Sequence, residues 1–236
     1  GGGAGAWESW AEPEVEITLT MELEIDTGTE EGGISAGGFQ YHCVGGAYAR
    51  EVAVLTARLD LMAATSDRAT YVGEGTLEIQ TLYAEAHNEF HAEGGDIVCD
   101  GNYSLTYSQP GSWRQLVTAV LDRQGRLVEV EIASLGDSVV PNEVDAYGVI
   151  AQTCVNVRTG LSVSEANPVS KLIYVAEVVD HMEEFVEELG PLEPGRPALI
   201  SKSVDGTWTG YSYLVYWKLR PDITIDLTGY IAFERG

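Results

Sequence analysis

The chain has 236 residues and carries 37 Asp and Glu against 13 Lys and Arg, which gives a formal net charge of −24 and a pI of about 4.3. Its 44% hydrophobic content is enough to bury a core, so we expect a folded protein and not a disordered acidic one. The negative surface disfavours nucleic acid and anionic membranes as partners. The sequence has no run of 18 apolar residues that would predict a membrane span.

Residues 1–13 are rich in glycine and contain Trp7 and Trp10, which predicts an N-terminal arm that does not fold on its own. The next segment, 14–26, alternates strictly between apolar and polar residues, and its apolar face begins with Val15, Ile17 and Leu19. Period-two alternation over this length predicts a half-buried strand, longer than the usual five or six residues. We expect it to cross two sheets or to project beyond one.

Further strand-like segments follow at short intervals. Segment 51–62 also fits a helical stripe, but we interpret it as a strand. Asp122-Arg123-Gln124-Gly125 supplies the residues of a tight hairpin turn. The predicted strands are 39–43, 52–63, 70–83, 97–107, 116–121, 127–132 and 147–157.

One amphipathic helix is predicted at about 168–189. Asn167 is a good N-cap, Pro168 suits the first helical position, and apolar residues keep helical spacing until Gly190-Pro191. Strands are predicted again at 207–219 and 222–234. About ten strands and one helix favour an antiparallel β-sandwich or barrel, forming a single domain over residues 14–236, with a sub-boundary near Pro141 as the alternative.

Cys43 and Cys99 each end a strand-like segment just before a glycine turn. This similarity predicts a disulfide between them and leaves Cys154 free, the alternative being three reduced, buried thiols. A disulfide, the strong acidity, the use of only three lysines and the sequon Asn102-Tyr103-Ser104 together favour a secreted or cell-surface protein.

Two groups of side chains are candidate binding sites. His87, Glu89 and His91 alternate in one segment, so an extended chain would present imidazoles and carboxylates on one face. These groups could hold a divalent cation, and the alternative is a solvated face. An aromatic platform for sugar rings is suggested by Trp208, Tyr211, Tyr213 and Trp217, with a two-sided core or a subunit contact as the alternative interpretation.

The sequence contains no nucleophile elbow, phosphate-binding loop, CxxC or HExxH motif, so we do not expect an enzyme. We expect a structural subunit of an extracellular filament or surface array that self-associates through its N-terminal arm or a donated strand. The expected assembly contacts are Trp7, Trp10, Val15, Ile17 and Leu19. The alternative is a secreted monomeric module that binds carbohydrate or a divalent cation, and no other cofactor is expected.

Overall fold

The computed structural model describes residues 10–141, 143–174, 178–211 and 216–236. In these ranges the chain forms eleven strands and one helix. The strands are β1 (Glu14–Asp26), β2 (Glu30–Ala36), β3 (Phe39–Ala64), β4 (Arg68–Gly94), β5 (Ile97–Tyr107), β6 (Gly111–Asp122), β7 (Leu127–Ser134), β8 (Glu143–Asn156), β9 (Ser162–Tyr174), β10 (Ala198–Tyr211) and β11 (Tyr216–Arg235), and the helix α1 is Val178–Leu189.

All strands belong to one antiparallel sheet that does not close. The main order is β10-β11-β1-β3-β4-β5-β8-β9, with β2 beside β3 and with β6 and β7 extending from β4. The predicted class, an antiparallel sandwich or barrel-like fold with one helix, is therefore confirmed.

Two unusually long strands, β3 and β4, run side by side through the whole sheet. The two ends of this strand pair have different neighbouring strands, so the sheet has two halves. Their hairpin end, near Thr65, pairs with β1 and β6, and their other end pairs with β2 and β5. We call these the hairpin half and the far half. Predicted segments 39–43 and 52–63 are thus parts of one strand, because cross-strand hydrogen bonds continue through the glycine pair Gly45-Gly46.

Each half has its own hydrophobic core. In the hairpin half, alternate side chains of β1, β3, β4, β6, β7 and β11 form one core cluster together with the buried face of α1, which contributes Met182, Phe185 and Val186. The core of the far half is smaller and includes Tyr41, Phe90 and Leu105. The fully buried face of β1 follows the period-two pattern of its sequence.

The predicted start of the helix is wrong. The helix begins at Val178, and the segment that contains Asn167 and Pro168 belongs to β9, which pairs with β8 from Val155↔Ser162 to Glu143↔Tyr174. Pro168 fits because β9 is an edge strand, and a proline is tolerated where one side of the strand has no partner. The C-terminal end at Leu189, just before Gly190-Pro191, is as predicted.

The predicted disulfide pairing is also wrong. Cys99 on β5 lies directly opposite Cys154 on β8, with a Cα–Cα distance of 4.0 Å, and these two residues form the disulfide. Cys43 is free and buried, because on β3 it faces Phe90 across the strand pair and not Cys99. Burial raises the pKa of the Cys43 thiol to about 12.

A disulfide is typical of proteins from oxidising compartments. Within the described ranges, no helix has the length and apolar character needed to cross a membrane.

Candidate functional site

The far half of the sheet ends in an exposed strand edge. β9 pairs with β8 alone and is the last strand of the sheet. Residues 161–166 are exposed at every position, so neither face of this part of β9 is covered by another layer. An edge of this kind presents unpaired backbone N–H and C=O groups to an incoming strand.

Apolar side chains lie along this open edge. Leu161 is 72% exposed and Val163 is 60% exposed. Val163 lies opposite Cys154, and Leu161 accepts a backbone hydrogen bond from Asn156, which lies opposite Ile97. Ile97, Leu161 and Val163 therefore share the face that carries the disulfide, and we call them the apolar edge patch. Residues 161–167 carry a single charged side chain, Glu165, in a protein of net charge −24.

Three other strands of the described sheet, β2, β7 and β10, also pair on one side only. β2 carries the exposed acid Glu31, and side chains of α1 contact the other two. At β7, the Glu183 carboxylate on α1 accepts the backbone N–H of Ile132 at 2.5 Å. At β10, Lys202 forms ion pairs with Glu184 and Glu188 of the same helix. Charged side chains near an edge hinder the addition of a further strand, so the first half of β9 is the more accessible edge.

The N-terminal arm is anchored at the opposite end of the long strands. The Nε1 atom of Trp10 donates a hydrogen bond to the carbonyl oxygen of Thr65 at 2.8 Å, and Leu61 donates its backbone N–H to Pro13 at 2.9 Å. Trp10 also packs on the core of the hairpin half. Trp7 lies outside the described residues.

The other expected contact residues, Val15, Ile17 and Leu19, are at most 2% exposed. β1 pairs with β3 on one side and with β11 on the other, within its own chain. Their side chains therefore form part of this chain's own core.

The candidate cation-binding residues lie on β4 with alternating orientation, as predicted. His87, Glu89 and His91 are on the more exposed face of the strand, while Phe90 and its alternate neighbours point into the core. His91 contacts two carboxylates, Asp100 through Nδ1 at 2.6 Å and Glu93 through Nε2 at 3.0 Å. The carboxylates raise the pKa of His91, Glu93 contributing the larger effect. Among the described residues, no group of three or more His, Cys, Asp or Glu is arranged to hold a metal ion.

The aromatic platform cannot be placed. Tyr213 lies outside the described residues, and so do the side chains of Trp208, Tyr211 and Trp217, although the backbones of these three belong to β10 and β11.

One buried acid was not identified from the sequence. Glu51 on β3 is 5% exposed and lies between Ala49 and Ala53 on the buried face. Burial raises its pKa to about 6. Its charge also raises the pKa of Tyr107, although burial of the phenol has the larger effect. The only signal in the sequence is that Glu51 occupies an apolar position of the alternation along 49–59.

Sequence reasoning also missed the open edge of β9, because helical spacing after Pro168 assigned half of this strand to the helix. Comparisons with known protein families, curated proteins and solved structures find no match to this chain.

Proposed function

We propose that the protein is a structural subunit of an extracellular assembly and that it self-associates head to tail. In this proposal the open edge of β9 on one copy accepts the N-terminal arm of a second copy. The observation that carries the proposal is the edge itself, an uncovered strand with exposed apolar side chains and almost no charge. Strand addition of this kind gains affinity from main-chain hydrogen bonds and specificity from alternate side chains.

The N-terminal arm and the edge of β9 are similar in length, and both carry little charge. Nine arm residues span at most about 32 Å, and seven edge residues extend over about 23 Å. Residues 1–9 contain one charged side chain, Glu8, and residues 161–167 contain one, Glu165. Their association therefore adds little charge repulsion at the contact itself.

The positions of the two partners disfavour insertion of the arm into the β9 edge of its own chain. The arm leaves the domain near Thr65, at the hairpin end, whereas β9 belongs to the far half. The stretch of β4 from Arg68 to Glu85 alone has a contour length of about 56 Å, so the arm is too short to follow the sheet to its own β9. A contact between two different surfaces produces an open chain when its rotation does not close a ring.

The extracellular location is supported by the Cys99–Cys154 disulfide. The acidity disfavours nucleic acid as an alternative partner.

The test compares the intact chain with the variant Val163→Lys and with a chain lacking residues 1–9, by size-exclusion chromatography and negative-stain imaging. Intact chains should form polymers, and both changes should leave folded monomers. Leu199→Lys is the matched control, since Leu199 on β10 is 79% exposed but lies outside the proposed contact. Intact chains that remain monomeric, or polymers that persist in both variants, would contradict the proposal.

A further inference from the structure

The outer face of the far half carries an exposed asparagine in a sequon. Asn102 and Ser104 are both exposed and point to the same face of β5, while Tyr103 between them is buried. The acceptor amide and the hydroxyl two residues later are therefore accessible together, which is the arrangement that the Asn-x-Ser motif requires of a modified site.

The surface beside Asn102 has room for a bulky group. Asn102 lies between Glu89 on β4 and Ala151 on β8, and Ala151 lies opposite Ala166 on β9. A shallow groove of about 630 Å³ lies here, and its lining combines small and polar residues with Phe90 and the three acids Glu89, Asp100 and Glu165. Among the polar residues, the hydroxyls of Thr153 and Ser164 lie 2.8 Å apart and offer hydrogen bonds to a polar substituent.

The chemical surroundings suit a sugar better than an apolar group. The Asn102 amide forms no hydrogen bond with another described residue, so attachment would not break an existing contact. The Cys99–Cys154 disulfide joins β5 and β8, two of the four strands that line the groove, and disulfides form in the compartments through which glycosylated proteins pass.

We propose that Asn102 carries an N-linked glycan that lies in this groove. In the transfer, the Nδ2 atom of Asn102 forms a bond to the anomeric carbon of a sugar on a lipid-linked pyrophosphate donor. The bond from that carbon to the pyrophosphate oxygen breaks, the lipid pyrophosphate leaves, and the amide loses one proton. The donor and the transferase are supplied by the exporting cell, not by this chain.

The glycan has a physical consequence for the proposed assembly, and this step alone rests on the proposed function. A hydrated sugar over β5 and β8 would cover the flat outer face of the sheet, and it would prevent sheets from stacking face to face. The open main-chain edge of β9 would remain available for strand addition.

The test is peptide mass analysis of the protein purified from the cells that produce it naturally. The peptide containing Asn102 should be heavier by the mass of a glycan, and enzymatic release should convert Asn102 to Asp. Asn102→Gln and Ser104→Ala should both abolish the mass shift, Ser104→Thr should retain it, and Thr106→Ala, an exposed hydroxyl on the same face, is the matched control.

Each outcome decides the proposal, and none depends on whether the protein polymerises. An unmodified Asn102 in the natural material would overturn it, as would a mass shift that survives Asn102→Gln. Because mass analysis does not require a folded variant, a folding defect in one substitution leaves the result interpretable.

Discussion

The carboxylate of Glu183, in the middle of α1, accepts a hydrogen bond from the backbone N–H of Ile132 on the edge strand β7. The bond supplies the acceptor that a neighbouring strand would otherwise provide. Burial raises the pKa of Glu183, although the bond from Ile132 opposes this effect.

Glu183→Ala should therefore destabilise the fold by about 1–3 kcal/mol, because it leaves a buried N–H without an acceptor. Glu183→Gln keeps an acceptor oxygen and should lose less. Urea denaturation followed by circular dichroism measures both variants. Equal losses would show that the carboxylate charge, and not the hydrogen bond, is what matters.

The Cys99–Cys154 pairing predicts a specific alkylation pattern. In denaturant without reductant, one thiol per chain should react, and peptide mapping should place it at Cys43. The bridge closes a loop with a sequence separation of 55, so Cys99→Ser with Cys154→Ser should destabilise the protein by about 4 kcal/mol. Cys43→Ser should leave the bridge intact, and a bridge recovered between Cys43 and Cys99 would refute the strand register.

Replacing Glu51 by a neutral residue should stabilise the protein, and the gain should depend on pH. Its pKa rises on folding from 4.5 to about 6, so the folded state favours the protonated acid. Below pH 4.5 the Glu51 carboxyl does not affect the free energy of unfolding. Its ionisation lowers the free energy of unfolding as the pH rises towards 6, and above pH 6 the loss is about 2 kcal/mol.

Glu51→Gln should therefore be more stable than the natural chain by about 2 kcal/mol above pH 6 and equal to it below pH 4.5. Urea denaturation at the two pH values tests this. Glu78→Gln, an exposed change on neighbouring β4, should give no such difference, and a gain of equal size at both pH values would exclude ionisation of Glu51 as the cause.

His91 should titrate above its ordinary pKa of 6.5, because Glu93 and Asp100 stabilise the imidazolium. The stabilising effect is present below pH 6.5 and is lost as the pH rises through the folded-state pKa of His91. NMR titration of the imidazole resonances should show the raised midpoint, and Glu93→Gln or Asp100→Asn should each lower it. An unchanged midpoint in both variants would mean that neither contact persists in solution.

Trp10 should stabilise its own domain. Trp10→Phe keeps an aromatic ring but loses the hydrogen bond to Thr65, so a loss of about 0.5–1.5 kcal/mol is expected. Trp10→Ala should lose more because the packing on the core is also removed. Measurements on a chain that also carries Val163→Lys would separate this effect from assembly. An unchanged free energy of unfolding in both Trp10 variants would argue against docking of Trp10 on its own domain.

The sequence by itself determined the elements whose pattern is local. Strict alternation predicted β1 with its observed bounds, the bounds of β5 were also predicted correctly, and Gly190-Pro191 correctly marked the end of α1. The class of fold followed from the number of such segments. In a strand that is buried on one face, apolar residues recur at every second position, and this period is visible in the sequence.

Only the tertiary structure decided which segments meet. Residues 168–174 satisfy helical spacing, yet their backbone groups pair with β8. The local sequence contexts favoured Cys43 as the partner of Cys99, but the register of β5 against β8 brings Cys154, and not Cys43, opposite Cys99. Pairing and register are set by hydrogen bonds and packing between residues far apart in the chain, and a local period carries no information about them.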